Sequence, residues 1–238
     1  MFGRFLEISI ATEDITASVQ FYERLGFTQF TTGDAWSHPY GVLGDGRIVI
    51  ALHQRRAPSP ALCFVHAGLQ RHVATLASAG FEAVEARLAE GDFHELRLRD
   101  PAGQHVTLLE ARTWSPPAAP PPPSLCGWFQ AYSMPSRDTP AVQAFWERAG
   151  FVALEPGDEP LVQAVLTSDA LNLGLHAPRA LPDPLLLFAC ADAPARIAQL
   201  VALGVVPSPD LPRGLDPAGN MLIEAPEGTL LLLAQEPS

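Results

Sequence analysis

The sequence predicts an α+β fold built from tandem βαβββ modules. Three observations predict it. A stretch that reads as one capped helix, residues 14–27 (DITASVQFYERLGF), recurs as residues 138–151 (DTPAVQAFWERAGF), with every match at an offset of 124. Segments of alternating apolar and polar residues flank each copy, as half-buried strands do. Glycine and Asp-Pro turns punctuate these segments at the ends of elements. The 238 residues therefore divide into a first module, 1–113, a connector, 114–124, and a second, degenerate module, 125–238.

The elements of the first module follow in order. Residues 5–11 (FLEISIA) alternate, with Leu6, Ile8 and Ile10 on one face and Glu7 and Ser9 on the other. The helix after them opens on Asp14, whose carboxylate can accept from the free N–H groups of the first turn. Ile15, Val19, Tyr22 and Leu25 form its apolar stripe, and Gly26 stands where a left-handed residue closes a helix. Residues 27–42 hold a strand and a loop, with Trp36, His38 and Tyr40 at alternate positions. Gly44-Asp45-Gly46 is a hairpin turn into the strand Arg47–His53. The loop QRRAPSP leads to the strand ALCFV. A second helix over 68–79 carries Leu69, Val73 and Leu76 and ends at Gly80. Strands near 81–85, 93–99 and 105–110 complete the module, with Asp100-Pro101-Ala102-Gly103 as the last turn.

The connector WSPPAAPPPPS is proline-rich and offers few donors to a sheet. It reads as a semi-rigid linker or, alternatively, as a ligand for an SH3-type module. In the second module Ile197, Leu200 and Gly204 match Val73, Leu76 and Gly80, and LNLGLH (171–176) matches IVIALH (48–53). Residues 216–219 repeat the DPAG of 100–103, but at an offset of 116. Residues 225–228 (APEG) give 125, so they are expected to form the equivalent turn. MLIEA and TLLLLAQ are then the last two strands.

Composition excludes several classes of function. The net charge of −11 argues against a nucleic-acid or anionic-membrane partner. The chain contains no lysine, which removes Schiff-base chemistry and a P-loop lysine. Its three cysteines are widely spaced, unlike a disulfide framework or a zinc knuckle, and read as buried thiols. No long apolar span and no signal-peptide pattern is present, so a cytoplasmic location is expected. No nucleophile elbow, Cys/His pair or phosphate loop is found.

Taken as an ordered set, the strand FLEISIATED, the helix ending SVQFYERLGF and the hairpin RDPAGQHVTLLE resemble the vicinal oxygen chelate superfamily. That group includes glyoxalase I, the bleomycin-resistance proteins, fosfomycin-resistance enzymes and extradiol dioxygenases. The resemblance implies sheets curved into a cup, helices packed outside and a small-molecule site inside. It also implies metal-ligand positions. These fall on Glu7, Ala51, Ala61 and Thr107 in the first module and on Ala131, Gly174, Leu185 and Leu232 in the second. Glu7 alone can coordinate, so no metal and no other cofactor is expected. Read without the resemblance, Glu7 is a polar residue on one face of a strand.

Alternation places further groups on the cup face. With Thr107 inward, His105 follows. With Leu96 and Leu98 on the helix side, Glu95, Arg97 and Arg99 turn inward or lie at the rim. His53 faces in because Ile48, Ile50 and Leu52 form the opposite face. The expected ligand-binding set is Glu7, Ser9, His53, Arg97, His105 and Thr107. His105 with Glu7 or Glu95 can act as an acid–base pair if they meet. In the second module Asn172 and His176 are the polar residues of their strand's inward face.

Two functions stay open. One is a metal-free protein of the bleomycin-resistance kind, monomer or homodimer, that binds a small, partly apolar molecule. The other is a divalent-metal lyase or extradiol-type dioxygenase, with ligands drawn from His53, His66, His105 or Glu110.

Overall fold

A computed structural model describes residues 1–33, 36–110, 119–155 and 161–236. The first half runs β1 (Arg4–Ala11), α1 (Ile15–Arg24), β2 (Thr28–Phe30), β3 (Tyr40–Gly44) and β4 (Val49–His53), then β5 (Ala61–His66), α2 (Leu69–Ser78), β6 (Ala83–Arg87), β7 (Glu95–Arg99) and β8 (His105–Glu110). The second half runs β9 (Trp128–Pro135), α3 (Thr139–Ala149), β10 (Val152–Leu154), β11 (Val162–Thr167) and β12 (Asn172–His176), then β13 (Leu185–Cys190), α4 (Ala193–Ala202), β14 (Asn220–Glu224) and β15 (Leu230–Gln235). Among the described residues each half is thus a pair of βαβββ units, the last with one strand fewer.

Each half forms one mixed sheet. The orders are β2-β3-β4-β1-β5-β8-β7-β6 and β10-β11-β12-β9-β13-β15-β14. The central pair β1/β5 is antiparallel, while β1/β4 and β5/β8 are parallel. The second sheet repeats this with β9/β13 antiparallel and β9/β12 and β13/β15 parallel. The expected helices are capped as the sequence indicates. Asp14 and Asp138 accept from the amides of Ala17 and Ala141, and Gly26 and Gly150 take positive φ at the ends of α1 and α3.

The two faces of each sheet differ. One face of both sheets, with the four helices of the described residues, shares a single apolar core. Ile8 and Ile10 of β1, Leu62 and Phe64 of β5, Val106 and Leu108 of β8, and Leu186 and Phe188 of β13 point into it. Full burial of such side chains is worth about 1.5–3 kcal/mol each. The alternate residues face the cups. Of the connector, residues 114–118 lie outside the described residues. Ser124 hydrogen-bonds Asp45 at the turn between β3 and β4, at 3.2 Å.

The last turn falls where the offset of 125 puts it. Ala225 N–H donates to the Thr229 carbonyl, as Asp100 N–H donates to that of Gln104. The DPAG at 216 precedes β14 instead of joining it to β15. No helix among the described residues is long and apolar enough to cross a membrane.

Candidate functional site

The cup face of the first sheet carries a row of side chains set by strand register. Glu7 of β1 lies opposite Cys63 of β5, Cys63 beside Thr107 of β8, and Thr107 opposite Arg97 of β7. One step along, Ser9 lies opposite Ala61 and Ala61 beside His105. His53, at the end of β4, joins from the other flank beside Ala11. Neighbouring strands are about 5 Å apart, so these groups converge. All six residues of the expected set line one cavity, together with Trp36, Arg55, Glu95 and Leu109. The cavity is a narrow cleft. Its own volume is ≈ 20 Å³, and the ≈ 540 Å³ of space around it includes open solvent.

Each polar group has a distinct electrostatic state. Glu7 is 5% exposed, and burial pushes its carboxyl from an ordinary 4.5 up to about 7. Burial likewise raises Cys63, which stays a thiol. His53 is pushed down to about 3 by burial and by the charges of Arg55 and His38, so it is a neutral imidazole. His38 shares a hydrogen bond with it, Nε2 to Nδ1 at 3.0 Å, and Trp36 meets it edge-on. His105 is lowered by burial and then by Arg99 and Arg97, and its Nε2 lies 3.0 Å from the Arg99 guanidinium.

Arg97 reaches the cavity but is already engaged. It contacts Glu95 at 2.6 Å and Glu85 at 2.7 Å. Arg55 also lines the cavity, and sequence reasoning missed it. Its Nε is buried without a partner, and its guanidinium sits over the Trp36 ring, 5.3 Å from the centroid. The signal was present. Arg55 is two residues past His53, four past Ala51, and so continues the alternation of β4 into the loop.

The second cup has a different chemistry. Leu161, Val162, Leu185, Leu187, Leu222, Leu230 and Leu232 cluster on its face. His176 is fully buried there and satisfied, with Nδ1 2.8 Å from Ser133 Oγ and Nε2 3.2 Å from the Leu181 carbonyl. The Asn172 amide donates to the carbonyl of Gln130.

A metal centre of the kind the fold implies does not fit these residues. A divalent ion needs several converging donors. At the inferred ligand positions of the first cup stand Glu7, Ala51, Ala61 and Thr107. His66 and Glu110 are turned away: His66 stacks on His72 with ring centroids 3.9 Å apart, and Glu110 accepts from the amides of Gly68 and Leu69. Among the described residues, no three His, Cys, Asp or Glu side chains are grouped to hold a metal.

Neither a protein-family model nor a curated protein matches the chain. Solved structures do. Homoprotocatechuate 2,3-dioxygenase from Brevibacterium fuscum (E323L mutant) is 13% identical, with a TM-score of 0.61 over 98% of this chain and 71% of that one. A 4-hydroxymandelate synthase mutant from Streptomyces coelicolor is 16% identical, with a TM-score of 0.59 over 98% and 92%. The Mn(II)-bound glyoxalase from Novosphingobium aromaticivorans is 14% identical, with a TM-score of 0.59 over 98% and 82%. At such identities the likeness is one of architecture, and one architecture hosts many chemistries. All three belong to the vicinal oxygen chelate superfamily, and the fold of this chain is the vicinal oxygen chelate fold.

Proposed function

We propose that the chain binds a small, partly apolar molecule in the cup of its first half, without a bound transition metal. The observation that carries this reading is the asymmetry between the cups. The first gathers Glu7, Ser9, His53, Arg97, His105 and Thr107 around one cavity. The second has a roomier cavity walled mainly with leucine, with Asp216, Asn220 and Gln235 but no histidine or arginine among the described residues of its lining. Small-molecule sites combine an apolar wall with a few placed polar groups, and the first cup has both. The chain's negative charge keeps nucleic acid out of this reading.

Two measurements test it. Protein purified without chelator should carry no stoichiometric zinc, nickel, manganese or iron. One equivalent of metal, lost on Glu7→Ala, would instead establish the divalent-metal lyase or dioxygenase reading that the fold also accommodates. A thermal-shift screen of metabolites supplies a ligand for the second measurement. His105→Ala should weaken its binding by about 1–3 kcal/mol, the worth of a buried hydrogen bond to a charged group. His176→Ala, in the second cup, should leave affinity unchanged. The opposite pattern moves the site to the second half.

A further inference from the structure

Two ionisable groups of opposite type, Glu7 and Arg55, remain in the first cup outside its ion pairs. Arg97 is neutralised by Glu95 and Glu85. Glu7 is not. The residue is 5% exposed and lines the cavity, and no hydrogen bond or ion pair joins its carboxyl to a described residue. Arg55 lines the same cavity with a buried, unpartnered Nε. The two are not paired with each other, since the ion pairs of the described residues join other groups. Burying an unpaired charge is costly. Burial keeps the Glu7 carboxyl protonated until a cation arrives, and Arg55 is half buried with an unpartnered Nε, so a cavity lined by both fits a ligand that brings a partner to each. A simple anion would satisfy Arg55 and leave Glu7 bare; a simple amine would do the reverse. Trp36, under the Arg55 guanidinium, gives the cavity lining an apolar surface beside it.

We propose that the first cup takes a dipolar ligand, its ammonium on Glu7 and its carboxylate on Arg55, an α-amino acid with an apolar side chain being the simplest case. This rests on the reading of the first cup as the binding site. It adds a linked proton. Free Glu7 is largely protonated at pH 6, because burial holds its carboxyl near 7; an ammonium beside it favours the charged form. Binding at pH 6 should therefore release a proton.

Calorimetric titration of the full chain with L-phenylalanine, 3-phenylpropionate and phenethylamine tests the proposal, since the three differ only in which charges they carry. Phenylalanine should bind about tenfold or more tightly than either of the others, the worth of one charge-assisted hydrogen bond. Glu7→Gln should erase its advantage over 3-phenylpropionate, and Arg55→Gln its advantage over phenethylamine. At pH 6, buffers of different ionisation enthalpy should report the released proton. Equal binding of either single-charge compound, or no binding of phenylalanine, overturns the proposal. Ser9→Trp, which fills the cup, separates the two levels. If 3-phenylpropionate binds best and Ser9→Trp blocks it, the cup stands and the dipolar ligand falls. If phenylalanine binds unchanged in Ser9→Trp, Glu7→Gln and Arg55→Gln, both fall.

Discussion

Glu7 costs the fold stability at neutral pH. Its carboxyl titrates near 7 in the folded chain against an ordinary 4.5, so the folded state holds its proton longer. Below pH 4.5 both states are protonated and there is no penalty. As pH rises from 4.5 to 7 the unfolded chain loses the proton first, and stability falls by about 3 kcal/mol in all. Glu7→Gln should remove that slope. Urea unfolding should find the variant more stable by up to about 3 kcal/mol at pH 8 and unchanged at pH 4; equal stability at both would show that the carboxyl is solvated. The position of Glu7 was legible in the sequence, because alternation along FLEISIA fixes its face. Its isolation was not, since that depends on Cys63, Thr107 and Ala61 arriving from β5 and β8. The same limit applies to Arg97. Its inward direction followed from Leu96 and Leu98, but Glu85, the partner that occupies it, comes from an edge strand twelve residues away.

At the scale of elements, turns and caps were the most readable features, because a single residue type decides each one locally. The offset of 125 for APEG separated the true β14–β15 turn from the identical-looking DPAG at 216. What precedes β14 was less readable. Residues 205–219 hold the place of β6 without forming a strand, and Pro207, Pro209 and Pro212 explain it, since a proline cannot donate to a ladder. Helix α2 shows a cap supplied from a distance. Gly68 precedes it with φ 74° and no side chain to offer, and Glu110 at the end of β8 serves instead, accepting from Gly68 and Leu69 at 2.6 and 3.0 Å. Burial alone would raise the Glu110 carboxyl, but these hydrogen bonds and His94 outweigh it and hold it low. Glu110→Ala should cost about 1–2 kcal/mol at neutral pH, as loss of a helix cap does, read as a lower urea midpoint with unchanged m. A change below about 0.3 kcal/mol would mean that water replaces the carboxylate without loss.

At the scale of the molecule, the 124-residue repeat announced two halves, and the structure joins them by exchanged contacts that no single repeat reveals. Trp146 of α3 donates to Asp100 in the turn between β7 and β8 at 3.0 Å, and its counterpart Tyr22 of α1 donates to Glu227 in the turn between β14 and β15 at 2.8 Å. Phe2 packs against Phe81 of its own half and against Phe145 and Trp146 of the other. The shared core therefore belongs to neither half alone. A chain ending at residue 113 would expose α1, α2 and the apolar ring cluster to water, a patch of the kind that drives association. It would also leave Asp100 without the indole that satisfies it. A second copy offers the repair, because Tyr22 occupies the position in α1 that Trp146 occupies in α3 and can reach the partner's Asp100 as the indole does. Residues 1–113 expressed alone should therefore sediment as a dimer or larger species, not as a folded monomer. Tyr22→Phe together with Phe2→Ala should dissociate that dimer into unfolded chains. A cooperative, monomeric first half by ultracentrifugation and urea unfolding would show that its core closes without the second.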